Sequence, residues 1–201
     1  MNKGNLFIIS GPSGSGKDTV LAEVFKTRKD LYFSISSVTR QMRQGEVEGE
    51  KYNFISREKF ENMLSEDQLL EHNVYLGNYY GTPKAPVIEN LNNGVDVIIE
   101  VDVNGAEKIR NKMPDATSIF IMPPSLEELK CRLSGRGTES KEVVEKRINE
   151  ALGEIARANE YDYIVVNDDL KEAVQDILCV IYCEKLTEKN NEYLINQVLG
   201  K

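Results

Sequence analysis

Seven consecutive residues, Gly11-Pro12-Ser13-Gly14-Ser15-Gly16-Lys17, carry the densest chemistry in this 201-residue chain. Glycines let a backbone wrap until successive N–H groups point inward, and such a nest of amides binds an anion. The lysine adds a charge able to reach the β- and γ-phosphates of a nucleoside triphosphate. The loop lies between a strand-like apolar run, Leu6–Ser10, and a helix-like run, Asp18–Arg28. A phosphate loop needs that setting, because the helix N-terminus contributes its own partial positive charge. Where the pattern calls for Ser or Thr after the lysine, to ligate Mg2+, this chain has Asp18 and then Thr19. A carboxylate is an acceptable Mg2+ ligand, directly or through water, but it adds negative charge beside a triphosphate. The sequence leaves the metal role open between Asp18 and Thr19.

A phosphate loop specifies a nucleoside triphosphate and says nothing of the acceptor. Arg40 and Arg43, three apart in a segment that also supplies tyrosines and hydroxyls, suit a second anionic phosphate. Guanidinium groups grip phosphate bidentately, and hydroxyls add directional contacts. Glu100 and Asp102 close the most apolar strand-like run, Val95–Val101, and ligands bind at the carboxyl ends of parallel strands. Glu100 is a candidate to hold Mg2+ through water; the competing reading is a structural acid bonded to the phosphate loop. His72, the only histidine, reads as a surface residue of its segment rather than a catalyst.

The elements that must position these groups alternate along the chain. After the first strand and helix, Phe33–Ser36 alternates like a strand. Residues 34–82 then turn polar and rich in Gly, Tyr and Asn, with short strand candidates at Tyr52–Ile55, Leu69–Glu71 and Val74–Gly77. Ser56 is placed to cap a helix running to Ser65. This segment reads as an inserted lobe of small antiparallel strands. Beyond it the chain reads as helix (85–91), strand (95–101), helix (105–112), strand (117–122), a helix capped by Ser125, helix (143–159), strand (163–166) and helix (170–186). The tail after Thr187 reads as a short helix or a frayed end. Strand and helix in alternation imply an α/β fold with a central parallel sheet between two helical layers.

Composition bounds the partners. The net charge of −8 argues against a nucleic-acid partner, since phosphate backbones need a basic surface. No stretch approaches the roughly 18 apolar residues of a membrane span. The first residues lack the layout of a signal peptide, so a cytoplasmic location is expected. Three cysteines, Cys131, Cys179 and Cys183, with no CxxC, read as small buried thiols in a reducing compartment.

Together the blocks identify a family. Ser34–Glu46, Gly49–Phe54, Glu71-His72, Gly77–Thr82, Glu100–Gly105, Arg132–Thr138, Lys146-Arg147 and Ile164–Asp168, following the phosphate loop, resemble guanylate kinases over nearly the whole chain. The resemblance implies one P-loop domain, residues 1–201, with its core at 1–33, 83–131 and 148–201. A GMP-binding lobe is expected at 34–82 and a lid at 132–147. It implies that Arg40, Arg43, Tyr52 and Tyr80 hold the GMP phosphate, joined by Thr82. Ser36, Glu71 and Asp102 are expected to read guanine. A carboxylate suits that task, because guanine offers N1–H and a 2-amino group side by side and a carboxylate only accepts. The lid arginines Arg132, Arg136 and Arg147 are expected to act with Lys17, Arg40 and Arg43 in catalysis, and Asn167 to lie near the ATP adenine. ATP, GMP and Mg2+ are thus the implied ligands; the oligomeric state is not legible. Two other readings remain: a kinase of ribose bisphosphate on the same fold, and a catalytically inactive guanylate-kinase-like binding module.

Overall fold

A computed structural model of the chain describes residues 3–134 and 141–200. The elements run in order as β1 (Leu6–Ser10), α1 (Lys17–Thr27), β2 (Tyr32–Phe33), β3 (Ser36–Val38) and β4 (Tyr52–Phe54). Next come α2 (Arg57–Ser65), β5 (Leu69–Tyr75), β6 (Asn78–Pro83), α3 (Lys84–Asn92), β7 (Val97–Glu100) and α4 (Val103–Lys112). The remainder holds β8 (Thr117–Met122), α5 (Leu126–Ser134), α6 (Lys141–Ile155), β9 (Tyr163–Val166), α7 (Leu170–Lys185) and α8 (Glu188–Leu199). The fold class is α/β on parallel strands, as expected. The residues group into two compact units, one of Lys3–Ser10 and Asp30–Ser118, the other of Gly11–Lys29 and Ile119–Lys201.

In the first unit, β2, β7 and β1 lie side by side and parallel, with Tyr32 and Leu6 both opposite Val97. Phe7, Ile8, Ile9, Val97, Ile98 and Ile99 are all fully buried. An unbroken apolar run, rather than an alternating one, is what a strand covered on both faces requires. Each such side chain contributes about 1.5–3 kcal/mol of burial free energy. The β7 strand starts two residues later than expected. Val95 donates its N–H to Asn90 O across the turn after α3 and so lies outside the ladder.

The inserted lobe forms a second sheet in the order β4-β3-β6-β5. The β3/β6 and β6/β5 pairs are antiparallel, whereas β4 runs parallel to β3. The two expected strands at 69–71 and 74–77 are one strand, β5, with a register shift between Leu69 and Glu71. It turns into β6 through Leu76 and Gly77, with φ of 47° and 76°. Two successive left-handed residues match the twist of a two-residue hairpin. Leucine in that region costs about 1–2 kcal/mol, and Leu-Gly lacks the Asn-Gly signature that announces such turns. The cap on α2 is as expected: Ser56 Oγ accepts from Lys59 N at 3.1 Å.

In the second unit, β8 and β9 are parallel, with Ile119 opposite Tyr163, and α1 packs on α7. Leu129 and Leu133 of α5 pack with Ala151 of α6 in a separate apolar cluster. The cysteines are not buried. All three are exposed: α5 buries Leu129 and Leu133 rather than Cys131, and the buried stripe of α7 is Ala173, Ile177 and Ile181. Cys179 and Cys183 stand about 160° and about 120° around the helix from the centre of that stripe. Their sulfurs lie 4.0 Å apart, and no cluster of three or more metal-ligating side chains occurs among the described residues. No helix among the described residues is long and apolar enough to cross a membrane.

Candidate active site

The phosphate loop carries its glycines where the backbone needs them. Gly11, Gly14 and Gly16 have φ of 147°, 88° and 83°, and Gly16 is the N-cap of α1. A Cβ at Gly16 would stand 2.3 Å from Asn167 Nδ2, so close approach as well as φ demands glycine there. Lys17 folds back over the loop and donates from Nζ to Gly11 O at 2.8 Å and to Pro12 O at 3.4 Å.

Three other expected side chains converge on this loop. Asn167, buried after β9, donates from Nδ2 to Ser15 O at 2.8 Å. Arg132 of α5 donates to Asn167 O at 3.0 Å, and its Nε pairs with Glu128 Oε1 at 2.7 Å. Arg147 of α6 donates to Ser13 Oγ at 2.8 Å. Asn167 therefore braces the loop backbone, a role that the expectation of an adenine neighbour did not include. Ser15 Oγ is buried without a partner among the described residues. Arg136 lies outside the described residues, as do residues 135–140 of the expected lid.

In the first unit Arg40 lies against the tyrosines of the lobe sheet. Arg40 Nε donates to Tyr80 Oη at 3.2 Å, and its guanidinium lies 5.2 Å from the centre of the Tyr52 ring. Tyr52 and Tyr80 meet edge-on, with ring centres 6.3 Å apart. Sequence reasoning missed Glu46, which takes both arms of Arg40 at 2.6 and 2.7 Å and the backbone N–H of Arg43 at 2.7 Å. The hydrogen bonds from Arg40 and then from Arg43 N draw the Glu46 pKa down to about 2. The spacing of Glu46, three residues after Arg43, was the available signal. Arg43 keeps its own side chain exposed.

The acidic residues form a second group. Glu71 is 6% exposed, and its Oε1 accepts from Thr82 Oγ, itself fully buried, at 2.8 Å. Thr82 is thus bonded to the carboxylate group rather than to the arginine–tyrosine cluster with which the sequence grouped it. The other Glu71 oxygen lies over Gly105, where a Cβ would approach it to 3.2 Å. Asp102 caps α4, its Oδ1 accepting from Gly105 N at 2.7 Å, and its Oδ2 accepts from Asn73 Nδ2 at 2.9 Å. Burial raises the pKa of Glu71, the Thr82 hydrogen bond opposes the rise, and the charge of Asp102 adds to it. Ser36 opens β3, half-buried, and His72 is exposed on β5.

The candidate metal ligands divide. Asp18 and Thr19 present exposed oxygens in the first turn of α1. Glu100 instead pairs with Lys51 Nζ at 3.0 Å, so its carboxylate is already neutralised. A few oxygen donors without an all-protein cage suit Mg2+, which keeps several waters and leans on substrate phosphates.

Comparison with known proteins bears on this arrangement. A family model described as guanylate kinase matches residues 3–183. The guanylate kinase of Carboxydothermus hydrogenoformans is 46% identical over 195 residues, covering 97% of this chain and 96% of that protein. That of Haemophilus influenzae is 44% identical over 208 residues, covering 100% of both. The crystal structure of guanylate kinase from Anaplasma phagocytophilum superposes with a TM-score of 0.76 at 33% identity, covering 92% of this chain and 88% of the other.

Proposed function

The chain belongs to the guanylate kinase family, and we infer from it how this chain's own residues move the γ-phosphoryl group of ATP onto GMP. Neither rival reading gains support from the comparisons. The observation that carries the residue assignment is the buried Glu71 carboxylate, held by Thr82 and flanked by Asp102. An acceptor-only group there takes the N1–H and 2-amino donors of guanine; adenine, with an unprotonated N1, meets it acceptor to acceptor. Arg40, Arg43, Tyr52 and Tyr80 take the GMP phosphate, with Glu46 holding the Arg40 fork.

The acceptor needs no general base. A phosphate monoester has its second pKa near 6 and is mostly dianionic at pH 7. The task is to bring two polyanions together and to stabilise charge on the transferring group, which positioning and positive charge accomplish. Lys17 and the loop amides hold the β- and γ-phosphates, and Arg132 and Arg147, anchored on Ser15 and Ser13, stand ready to turn toward them. Mg2+, when bound at Asp18 or Thr19, supplies further charge neutralisation to the triphosphate. We assign residues 34–82 as the GMP lobe and 132–147 as the lid, with Arg136 a lid residue on the resemblance alone. The working location is the cytoplasm, a compartment that keeps three exposed thiols reduced.

The deciding experiment is ADP formation from Mg·ATP with GMP, AMP, IMP and ribose 1,5-bisphosphate offered separately. Strong turnover with GMP and little with AMP or the sugar bisphosphate is expected. A sugar-bisphosphate signal would mean a different kinase, and silence with all four would mean an inactive binding module.

The raised pKa of Glu71 sets a pH dependence. Its folded value exceeds the ordinary 4.5, so ionising it costs more in the fold than in the unfolded chain; its own contribution to stability is fully present below the unfolded pKa and is lost as pH rises through the folded one. Base recognition runs the opposite way, because a protonated Glu71 loses an acceptor. Guanosine, which has no phosphate to titrate, is expected to lose affinity on acidification at a pH above 4.5. Titration calorimetry from pH 8 down to pH 4.5 checks this; flat affinity across that range would exclude Glu71 from the base site.

A further inference from the structure

We propose that Asn73 is a positioning residue for recognition of the guanine 2-amino group, acting through Asp102, which accepts the second amino hydrogen beside the one that Glu71 takes; this rests on the reading of Asp102 as a base contact. Asn73 follows Glu71 by two residues on β5, so the two side chains share a face of the sheet. That strand packs on α4, whose N-cap is Asp102. Asn73 Oδ1 accepts from Val74 N at 2.8 Å, which leaves Nδ2 to donate to Asp102 Oδ2 at 2.9 Å. Only one orientation of the amide satisfies both bonds, since a carboxylate cannot donate and a backbone N–H cannot accept.

The consequence lies in the geometry of Asp102. Gly105 N fixes one of its oxygens and Asn73 the other, so the plane of the carboxylate is set. Each oxygen keeps a lone pair for a ligand, because an ionised carboxylate offers about four acceptor sites. Without Asn73 the group is pinned through one oxygen, and its terminal torsion is broad and weakly restrained. A planar acceptor aimed in advance discriminates a ligand with an amino group from one without it. GMP carries the 2-amino group and IMP lacks it. Asn73 therefore contributes to the preference for GMP over IMP and not to the handling of ATP.

The test compares kcat/KM for GMP and IMP in the wild type, Asn73→Ala, Asn73→Asp and Asp102→Ala. Asn73→Ala is expected to cut the GMP-to-IMP ratio by about tenfold, the scale of one well-placed hydrogen bond to a charged group. Its KM for ATP and its kcat with saturating GMP should stay within about twofold of wild type. Asn73→Asp keeps the volume and the strand but sets two carboxylates side by side, and should lower the ratio at least as far. A merely structural role would shift the melting temperature and both acceptors together, leaving the ratio unchanged. An unchanged ratio in both Asn73 variants, with a fall in Asp102→Ala, overturns the inference while Asp102 keeps its role. An unchanged ratio in Asp102→Ala overturns the inference along with the reading it rests on.

Discussion

Replacing Lys17 with alanine is expected to lower kcat by about a thousandfold or more with both substrates saturating, and to leave the fold intact. The scale follows from what one pre-placed charge contributes to phosphoryl and acyl transfer, roughly two to five orders of magnitude. Lys17 is the first residue of α1, and its Nζ already sits on the loop carbonyls of Gly11 and Pro12. The side chain is not part of the core, so the melting temperature should move by only a few degrees. Steady-state turnover and a thermal melt on the same preparation decide the matter. Activity within tenfold of wild type would remove Lys17 from the reaction and with it the phosphate-loop reading.

Glu71→Ala is expected to raise KM for GMP by about a hundredfold or more, with KM for ATP within about threefold. Sites built to hydrogen-bond a substrate lose several orders of magnitude when the match is broken, because buried polar groups are left unpaired. Here the loss has two parts. Guanine loses the acceptor for its adjacent donors. The fully buried Thr82 hydroxyl loses the oxygen it donates to, at a cost to stability of about 1–3 kcal/mol. Glu71→Gln separates the parts, since it keeps the volume and an oxygen for Thr82 but turns a donor toward guanine. Both variants should therefore fail with GMP, while only the alanine variant should melt much earlier. Equal rises in KM for GMP and ATP would take Glu71 out of the base site.

These effects were legible to different degrees in the sequence. The phosphate loop was read from seven adjacent residues, and the structure gives them the left-handed glycines that the motif demands. The strands β8 and β9 were read to the residue, because apolar runs bounded by proline and polar turns leave little choice of ends. The hairpin β5–β6 was not, since its turn is Leu76-Gly77 and leucine gives no warning of positive φ. The cysteines were misplaced for a related reason. A thiol is apolar enough to be buried, and only the phase of the α7 stripe, set by Ala173, Ile177 and Ile181, turns Cys179 and Cys183 outward.

The sequence by itself determined the chemistry available: a nest for a triphosphate, arginines and tyrosines for a second phosphate, and carboxylates for a base. Those are properties of residue types at short spacing, where local backbone geometry suffices. Only the tertiary structure decided the partners. Thr82 meets Glu71 because β6 pairs with β5 in a particular register, and Asn73 meets Asp102 because β5 packs against the start of α4. Lys51 reaches Glu100, and Glu46 closes on Arg40, for the same kind of reason. Pairings of this kind follow from strand register, helix packing and loop path, which depend on the whole sum of burial and hydrogen bonding and not on the identity of either partner.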